Sequence, residues 1–470
     1  MTAIVKKDWF IFGSCISSLV LAERLGSMNL NVVLANPAES WGGVFQGIQA
    51  NKERFDCGMT NFEFDLFADH SSNINEYDPS LKNNLGRYVD FVKKYLSEFT
   101  DFHRLSQPRM FFNGDLCDDL LLTNKFDVLS RLSLAQQQAI KKELEFITSN
   151  DNKVHPSLKT NQDSIHSKIS FYEASCKNHG TTFHELFVEP FFQKVLRIST
   201  KNIPSIFHRA GWTPLFYPET LLSQFSNTPQ KLKPTYFYYP NSTYFGSFIE
   251  SIENKLTSCS NVKIIKSFQM KDLDLSCGKV ASLEGKIKFD KIAWGSDIAA
   301  LADHLKIDMH EETDLKKKRA NTTMCFLKLH RENRDFMHEI ITDLDSDSPF
   351  YRVTNQTLCS NINNSYDQVI MESSTEGWQE FDLDNQSIFS KVIKKYDISF
   401  KSILSYDVKS FSGMSIPSSL AMERFNKTKI KIEEQFPQVF LIGKSSGYDS
   451  NTLNDQIIQS LKIAAQEESS

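Results

Sequence analysis

Residues 8–18 read DWFIFGSCISS: five mostly apolar residues, a glycine, and then a run of mostly small residues. The apolar run predicts a short buried strand, and the apolar residues of 19–25 predict a helix directly after the turn. A second buried strand is predicted at 31–35, and WGG at 41–43 closes the unit. Strand, tight turn, helix and parallel strand within about 30 residues form the βαβ unit that binds a dinucleotide at a helix N-terminus.

The composition is that of a soluble globular protein. Of its 470 residues, 40% are hydrophobic and 24% are charged, and the length predicts two or three structural units. The 53 basic and 58 acidic residues give a net charge of −5, so neither nucleic acid nor an anionic membrane is an expected partner.

The eight cysteines are scattered, without a CxxC pair or a Cys/His cluster at metal-ligand spacing. This pattern predicts a reduced, cytoplasmic chain without a structural metal. No apolar run approaches the roughly 20 residues that span a bilayer, so no transmembrane segment is expected. The alternative interpretation of residues 6–22 is a signal peptide, because two lysines precede an apolar run. Polar residues interrupt that run and a second strand follows it, which favours the βαβ interpretation.

The rest of the chain alternates between α/β and mainly helical segments. The predicted helices are 85–99, 134–147, 183–196, 248–256 and 453–466, and the predicted strands are 262–265, 279–283, 287–294, 322–330, 368–372 and 439–443. These blocks predict an α/β fold in which a Rossmann-like dinucleotide-binding domain is built from discontinuous segments and an α+β substrate domain is inserted into it. The predicted dinucleotide-binding domain comprises 1–65, 236–305 and 430–470, and the inserted domain comprises 66–235 and 306–429.

Four short segments resemble the FAD-binding amine oxidase-like superfamily, which includes protoporphyrinogen oxidases, phytoene desaturases, amine oxidases and flavin-dependent UDP-galactopyranose mutases. They are the turn at 13–18, WGG at 41–43, FDCGM at 55–59 and FLIG at 440–443. Their order and spacing are more specific than any one of them, because a lone glycine motif is weak evidence. The resemblance implies FAD as the cofactor, with its pyrophosphate at the N-terminus of the first helix, where backbone N–H groups and the helix dipole favour anions.

The resemblance implies a cofactor site made by both ends of the chain. By position, the implied cofactor-binding residues are Gly13, Ser14, Cys15, Ile16, Ser17, Ser18, Asn36, Gly42, Gly43, Gly443, Lys444, Asn454, Asp455 and Gln456. The last three begin the C-terminal helix, where ordinary helix-capping polarity is the alternative interpretation.

Three positions depart from the superfamily pattern. Cys15 replaces the glycine that lets backbone approach the pyrophosphate, so we expect its side chain to crowd or displace this group. Asn36 replaces the ribose-binding Glu or Asp, which is expected to weaken FAD binding by about 1 kcal/mol. Lys444 stands where an acidic residue is common, and a cation there is expected to pair with phosphate. Retention of FAD with altered contacts and loss of FAD are both open.

One arginine between aromatic residues is a candidate for substrate binding. Arg352, preceded by Tyr351, is suited to an anionic substrate such as a nucleotide-sugar diphosphate. The alternative is a structural ion pair between Arg352 and one of Asp343, Asp345 or Asp347.

Two further segments give weaker candidates. Trp212, after His208 and Arg209, belongs to a proline-rich aromatic segment that is either a substrate wall or an ordered loop. Lys328 is a candidate lysine near the flavin, with a surface role as the alternative. No residue pattern marks a covalent nucleophile, a catalytic triad or a metal site, so the sequence predicts no catalytic residue.

The resemblance implies an FAD-dependent oxidoreductase that acts on a small or medium organic substrate. The flavin supplies the redox chemistry in such proteins, and the chain supplies position and electrostatics. One alternative is a redox-neutral, mutase-like isomerase of a nucleotide sugar. Another is a non-catalytic relative that has lost FAD. The sequence leaves the substrate and the oligomeric state open.

Overall fold

The structure is a computed structural model of the 470-residue chain. It describes residues 5–64, 92–150, 153–154, 168–205, 215–227, 229, 235–270, 273–275, 282–283, 287–307, 319–331, 338–416, 418–447 and 452–468.

The described part of the chain forms both strands and helices. The strands are β1 (Val5–Phe12), β2 (Val32–Ala35), β3 (Ile48–Ala50), β4 (Glu53–Phe55), β5 (Phe102–Arg104), β6 (Arg109–Phe112), β7 (Asp115–Asp118), β8 (Tyr238–Pro240), β9 (Val262–Ile265), β10 (Leu273–Asp274), β11 (Ser282–Leu283), β12 (Ile287–Trp294), β13 (Arg319–His330), β14 (Ile340–Asp343), β15 (Phe350–Asn355), β16 (Tyr366–Ser374), β17 (Ile403–Ser415) and β18 (Val439–Leu441). The helices are α1 (Ile16–Ser27), α2 (Leu120–Thr123), α3 (Leu134–Asn150), α4 (Phe171–His179), α5 (Thr181–Phe183), α6 (Glu189–Leu196), α7 (Pro218–Ser223), α8 (Ser247–Thr257), α9 (Ile298–His304), α10 (Gln356–Ser360), α11 (Thr375–Glu380), α12 (Gln386–Ile393), α13 (Ser419–Gln435) and α14 (Leu453–Glu468).

The first sheet is mainly parallel and contains the N-terminal unit. Its order is β10-β11-β12-β1-β2-β9, and β18 also pairs with β12. The pairs β1–β12, β1–β2, β2–β9 and β12–β18 are parallel, whereas β10 and β11 form antiparallel additions at one side. The predicted βαβ unit and the discontinuous origin of this sheet are confirmed.

Both faces of β1 are buried, as a run of apolar residues in a parallel sheet requires. Trp9 and Ile11 belong to the apolar cluster that α1, α8 and α14 cover. Phe10 and Phe12 belong to the cluster on the opposite face, with residues of α9 and α13. Because side chains alternate along a strand, the sequence WFIF places one pair of large side chains on each face.

The second sheet is mixed and has the order β17-β13-β16-β15-β14-β6-β7. The strands predicted at 322–330 and 368–372 pair antiparallel as β13 and β16, from Thr322 opposite Ser374 to His330 opposite Tyr366. One face packs under α11 and α12 through an apolar cluster. The residues of 50–55 pack on the other face through Phe326 and Ile370, so this face lies toward the N-terminal segment.

Most predicted helices are present where the structure describes the chain. The helix predicted at 183–196 is helical throughout, but residues 184–188 form a π-helical turn between α5 and α6. Of the helix predicted at 85–99, only residues from 92 onward lie in the described part, and 92–96 are helical.

The predicted domain ranges stay a prediction. Helix α13 begins within the range predicted for the inserted domain, but it packs on the first sheet. None of the described helices is long and apolar enough to cross a membrane.

Candidate cofactor and substrate site

The carboxyl ends of β1, β12 and β18 meet at one edge of the first sheet, where Gly13, Gly295 and Gly443 lie. Gly13 has a φ of +135°, and a Cβ on it would lie 2.6 Å from the carbonyl carbon of Gly295. Two backbones therefore approach each other at a distance that only glycine permits. In open parallel α/β sheets, ligands bind outside this carboxyl edge.

The Cys15 side chain fills the space between these glycines. Cys15 is the N-cap residue of α1, and its thiol lies 3.2 Å from Ser18 Oγ. A Cβ on Gly295 would lie 2.6 Å from Cys15 Sγ, and a Cβ on Gly443 would lie 3.0 Å from it. The thiol thus lies between the start of α1 and the turn at Gly443, and the expected crowding of a pyrophosphate there stays a prediction.

The residues at the start of α1 hold this helix against α14. Ser17 Oγ donates to Gln456 O at 3.1 Å, and Ser460 Oγ donates to Ser17 O at 2.8 Å. Ile16 and Ser18 are fully buried. The side chains of these predicted cofactor residues therefore serve helix packing, and a ligand would meet their backbone N–H groups.

The WGG segment lies beside the same turn. The Gly42 N–H donates to Ser14 O at 2.7 Å. Gly42 and Gly43 have φ values of +88° and +56°, a conformation that glycine adopts without strain. The structure thus places Ser14, Gly42 and Gly43 next to each other.

Asn36 follows β2, at the position predicted to face the ribose of the cofactor. Its side chain is fully buried: Nδ2 donates to Ser40 O at 2.9 Å, and Oδ1 accepts from Ala38 N at 2.8 Å. The Asn36 backbone also donates to Ile265 O and accepts from Phe268 N, both at 2.8 Å. The amide therefore stabilises its own loop, and both of its polar groups are used without a ligand.

The turn after β18 is closed in a similar way. The Gly443 N–H donates to Gln459 Oε1 of α14 at 3.0 Å, and Gly443 has a φ of +60°. Lys444, the next residue, is exposed. Lys444 thus places a positive charge at the carboxyl edge of the first sheet, whereas the Gly443 N–H already donates a hydrogen bond within the chain.

The start of α14 contains the last three predicted residues. Asp455 Oδ2 accepts from Thr452 N at 3.0 Å and from Thr452 Oγ1 at 2.8 Å, while Asp455 N donates back to Thr452 Oγ1 at 3.3 Å. This reciprocal pair is a capping box, so Asp455 has the helix-capping role that was the alternative interpretation. Asn454 Nδ2 donates to Glu63 O, and Gln456 is buried.

Several buried polar atoms near this helix start have no hydrogen-bond partner among the described residues. They are Trp41 Nε1, both side-chain polar atoms of Asn61, and Asn454 Oδ1. Trp41 lies in the same apolar cluster as Phe62 and Leu453, the neighbours of Asn61 and Asn454. Asn454 also contacts the segment of Asn61, because its Nδ2 donates to Glu63 O. Buried polar atoms without a partner cost free energy, so the unpartnered atoms of Asn61 and Asn454 are candidates for contact with a polar ligand.

The FDCGM segment forms a fixed turn above the second sheet. Asp56 Oδ1 accepts from Phe245 N at 2.8 Å, and Asp56 Oδ2 accepts from the Tyr239 hydroxyl. Burial raises the pKa of Asp56 to about 6, and the Tyr239 hydrogen bond opposes this shift. Burial likewise raises the pKa of the Cys57 thiol to about 12, so Cys57 is a neutral thiol at pH 7 and not a nucleophile.

Gln356 of α10 joins this turn to two other segments. Asp56 N donates to Gln356 Oε1 at 2.7 Å, and Gln356 Nε2 donates to Thr243 O at 2.8 Å and to Arg54 O at 3.1 Å. One buried amide therefore fixes the turn relative to both the second sheet and the chain before α8.

Glu372 of β16 lies directly under the turn. Its Oε1 accepts from Met59 N at 3.0 Å, and its Oε2 accepts from the Tyr351 hydroxyl at 3.4 Å. Gly58 has a φ of +81°, and a Cβ on it would lie 2.6 Å from Glu372 Oε2. Burial raises the pKa of Glu372, and the Arg352 charge opposes this shift.

Arg352 lies in a buried row across the second sheet, between Thr342 of β14 and Glu372 of β16. Burial raises the pKa of Asp119 to about 6, and the charge of Arg352 opposes this shift as well. The charges that Arg352 faces are thus the carboxyl groups of Glu372 and Asp119.

The three aspartates considered as partners of Arg352, which are Asp343, Asp345 and Asp347, form ion pairs with lysines. Lys194 Nζ lies 3.1 Å from Asp343 Oδ1, and Lys395 Nζ lies 3.0 Å from Asp345 Oδ2. Lys395 also pairs with Asp347. The three carboxylates lie close enough together to hold a metal ion, but the two lysines occupy the space between them.

Comparisons with known proteins agree on the fold. No family model and no curated protein sequence matches the chain. A crystal structure of reduced UDP-galactopyranose mutase matches with a TM-score of 0.68 at 13% identity, over 98% of this chain and 94% of that chain. A putative protoporphyrinogen oxidase from Exiguobacterium sp. 255-15 matches with a TM-score of 0.62 at 15% identity, over 98% of both chains. A putrescine oxidase double mutant matches with a TM-score of 0.59 at 9% identity, over 99% of this chain and 100% of that chain.

The chain has the fold that these solved structures share, and this is the fold that the resemblance predicted. The predicted resemblance and the predicted fold class are confirmed. The identities of 9–15% establish the fold alone, so cofactor and activity have to be argued from the residues of this chain.

FAD, the cofactor that the superfamily fold implies, fits one end of the site better than the other. At the end near α14, the unpartnered atoms of Trp41, Asn61 and Asn454 match a ligand with several polar edge atoms. At the end near β2, the Asn36 amide is already bonded to its own loop. By the resemblance, the end near α14 would hold the flavin ring, whereas the usual ribose contact at the other end is not provided.

The remaining sequence candidates lie elsewhere. Lys328 Nζ pairs with Glu53 Oε1 at 2.7 Å and lies 3.7 Å from the ring centroid of Tyr366, which is a structural role. Trp212, together with its neighbours at 208 and 209, lies outside the described residues.

Sequence reasoning missed Glu372, Asn61 and Trp41 as site residues. Asn61 and Trp41 lie within a few residues of the FDCGM and WGG segments, so proximity to those motifs was an available signal. Glu372 gave no local signal, because it becomes a site residue only through strand pairing that places β16 under Gly58.

Proposed function

We propose that the chain is a flavin-dependent oxidoreductase that binds FAD along the carboxyl edge of the first sheet and acts on a small or medium organic substrate. The observation that supports it most is the group of unpartnered buried polar atoms of Trp41, Asn61 and Asn454. By the resemblance, the start of the C-terminal helix faces the isoalloxazine, and Asn454 lies there beside the segment of Asn61. A relative that had lost FAD would leave these buried polar atoms without a ligand, at a cost in free energy.

The substrate would lie beside the turn at Gly58, where this turn contacts Glu372 of the buried row. When bound, the flavin accepts the electrons of the substrate. Glu372 is the residue of this chain suited to move a proton there, because it is buried, lies under the turn and has a raised pKa. Tyr351 donates to Glu372 Oε2 and orients it.

The charge of this row favours a neutral or cationic substrate. Arg352 is a single positive charge beside two carboxyl groups, Glu372 and Asp119. An anionic diphosphate placed there would meet two carboxyl groups as well as one guanidinium. The isomerase alternative, which needs Arg352 for a nucleotide-sugar diphosphate, is therefore the weaker proposal despite the similarity to a mutase in fold.

An absorbance spectrum of the purified protein, before and after addition of FAD, tests the proposal. We expect flavin bands that remain after gel filtration, and Trp41→Phe, which removes the indole N–H together with one of the two fused rings, should lower the retained flavin. Trp378→Phe is the matched control, because Trp378 is also buried but its Nε1 donates to Asp384 at 3.0 Å in the second sheet region. Colourless wild-type protein that takes up no FAD would contradict the proposal and favour a relative that has lost the cofactor.

A further inference from the structure

We infer that the site recognises the isoalloxazine and first phosphate of a flavin, and that it therefore binds FMN about as tightly as FAD. The inference rests on the proposed function, since it concerns the same site. It is based on the difference between the two ends of the site: one end leaves polar atoms available to a ligand, and the other uses them within the chain.

The adenosine end lacks the ribose contact of dinucleotide-binding folds. There, an acidic residue after the second strand accepts hydrogen bonds from the ribose. At this position, Asn36 is 0% exposed and both of its side-chain polar groups bond to the loop that ends at Ser40. For the ribose to replace these bonds, the loop would have to open.

Contacts from the following strand hold this loop in place. Ser267 N donates to Ala38 O at 3.3 Å, and Ser267 Oγ donates to the Glu39 carboxylate. Phe268 N donates to Asn36 O at 2.8 Å. Opening the loop would break bonds on both of its sides, so the gain from an adenosine would be offset by the loss of these contacts.

A backbone donor at the carboxyl edge of the first sheet is also used within the chain. The Gly443 N–H donates to Gln459 Oε1 at 3.0 Å. The Cys15 thiol occupies the space between Gly443 and α1, with 3.0 Å between Sγ and a Cβ on Gly443. Less room and one donor fewer remain for the pyrophosphate than an all-glycine turn would provide.

The start of α1 still provides groups that can bind one phosphate. The first turn of α1 contains no acidic residue, and Cys15 makes no side-chain hydrogen bond to the helix N–H groups. These N–H groups and the helix dipole favour an anion. Lys444, exposed at the same edge, adds a positive charge.

The ring end provides the specific contacts. Trp41 Nε1 is a donor, Asn61 offers a donor and an acceptor, and Asn454 Oδ1 is an acceptor, all of them buried and without partners among the described residues. Isoalloxazine presents N–H, carbonyl and ring-nitrogen groups along its edge, so these atoms complement it. FAD and FMN share this part of the molecule.

Titration of the full-length protein with FAD, FMN and riboflavin, followed by quenching of flavin fluorescence, tests the inference. We expect the Kd values of FAD and FMN to agree within about tenfold, and riboflavin, which lacks phosphate, to bind more weakly than either. FAD that binds more than about a hundredfold tighter than FMN would overturn the inference and leave the proposed function intact. Absence of binding for all three flavins would overturn the proposed function as well.

The variant Asn36→Asp provides the second test. Aspartate has the same shape and keeps the acceptor for Ala38 N. It replaces Asn36 Nδ2, which donates to Ser40 O, by a carboxylate oxygen that can accept from a ribose. We expect the Kd for FAD to fall relative to that for FMN by about tenfold. Asn385→Asp is the matched control, because Asn385 also bonds to its own chain, through Ser387 N, but in the second sheet region.

An equal shift of both Kd values in Asn36→Asp would show that Asn36 does not decide between the flavins and would overturn the inference. A thermal unfolding curve for each variant establishes that the protein measured is folded.

Discussion

The two ends of the cofactor cleft treat their polar groups in opposite ways. Near β2, the Asn36 amide and the loop to Ser40 satisfy each other, and nothing polar is left for a ligand. Near α14, Trp41, Asn61 and Asn454 are buried with polar atoms that have no partner in the described chain. A residue that departs from a binding motif need not leave its polar groups without partners, since they can form hydrogen bonds within the chain. Buried polar atoms without such partners indicate where a ligand is still expected.

The same contrast holds for charge. The buried amide of Asn36 is neutral, whereas Glu372, Arg352 and Asp119 form a buried charged group under the turn at Gly58. Buried charges are costly unless they are paired, and titratable groups with shifted pKa values cluster at functional sites, so this group is a candidate for chemistry. If the proposal is right, perturbation of the second region should have larger functional effects than perturbation of the first.

The largest expected effect is that of Glu372→Gln. The amide keeps an acceptor for Met59 N but cannot take a proton, so we expect the FAD-loaded protein to be bleached at least about 100-fold more slowly by its substrates. The measurement is anaerobic stopped-flow absorbance with a panel of primary amines and neutral alcohols.

Glu376→Gln is the control for this variant, because Glu376 is exposed four residues further along the chain. Unchanged bleaching rates in Glu372→Gln would remove Glu372 from the mechanism.

The next effect is on stability, in Gly58→Ala. A Cβ on Gly58 would lie 2.6 Å from Glu372 Oε2, and the φ of +81° is unfavourable for alanine. Gly114→Ala isolates the first cause, because Gly114 has the same φ of +81° and has nothing within 4 Å of the added Cβ. Chemical denaturation should show that Gly58→Ala loses about 1–3 kcal/mol more than Gly114→Ala. Equal losses would mean that Glu372 moves aside freely.

The pH dependence of stability gives a further comparison, through Asp56. Burial raises its pKa from 3.8 to about 6, so the folded state binds this proton more tightly than the unfolded state does. Its contribution is therefore fully present below about pH 4 and is lost as the pH rises through about 6.

Asp56→Asn should abolish this part of the pH dependence. The wild type should lose up to about 3 kcal/mol relative to the variant between pH 4 and pH 7, measured by urea denaturation at each pH. Parallel curves for the two proteins would contradict the raised pKa.

The smallest effect is expected at the adenosine end, in Asn36→Ala. Removal of the two hydrogen bonds to Ala38 and Ser40 should lower the free energy of unfolding by about 1–2 kcal/mol. The Kd for FMN should stay within about threefold of the wild-type value, since FMN has no adenosine. A large loss of FMN affinity would show that the two ends of the cleft are coupled.

The sequence predicts the fold well where the signal is local. The strands at 8–12 and 31–35 and the helix between them are recognised from apolar runs and a glycine turn, and the chain forms β1, α1 and β2 there. The hydrogen bonds of the Asn36 side chain within its own loop were not predictable in this way. Contacts with Ile265 and Phe268, more than 200 residues away, hold this loop in place. Glu372 was not predictable from the sequence either. Only the pairing of β15 with β16 and the close approach of Gly58 make it a candidate site residue.

The pairing of β1 has a consequence for biosynthesis. This strand lies between β2 and β12, and β12 in turn pairs with β18, which begins at Val439. During translation, the apolar β1–β2 pair emerges first and keeps an open edge until Ile287 and the residues after it have left the ribosome. Open strand edges of this kind promote aggregation of nascent chains. The N-terminal unit that defines the fold thus keeps an edge open to aggregation until more than half of the chain has been made.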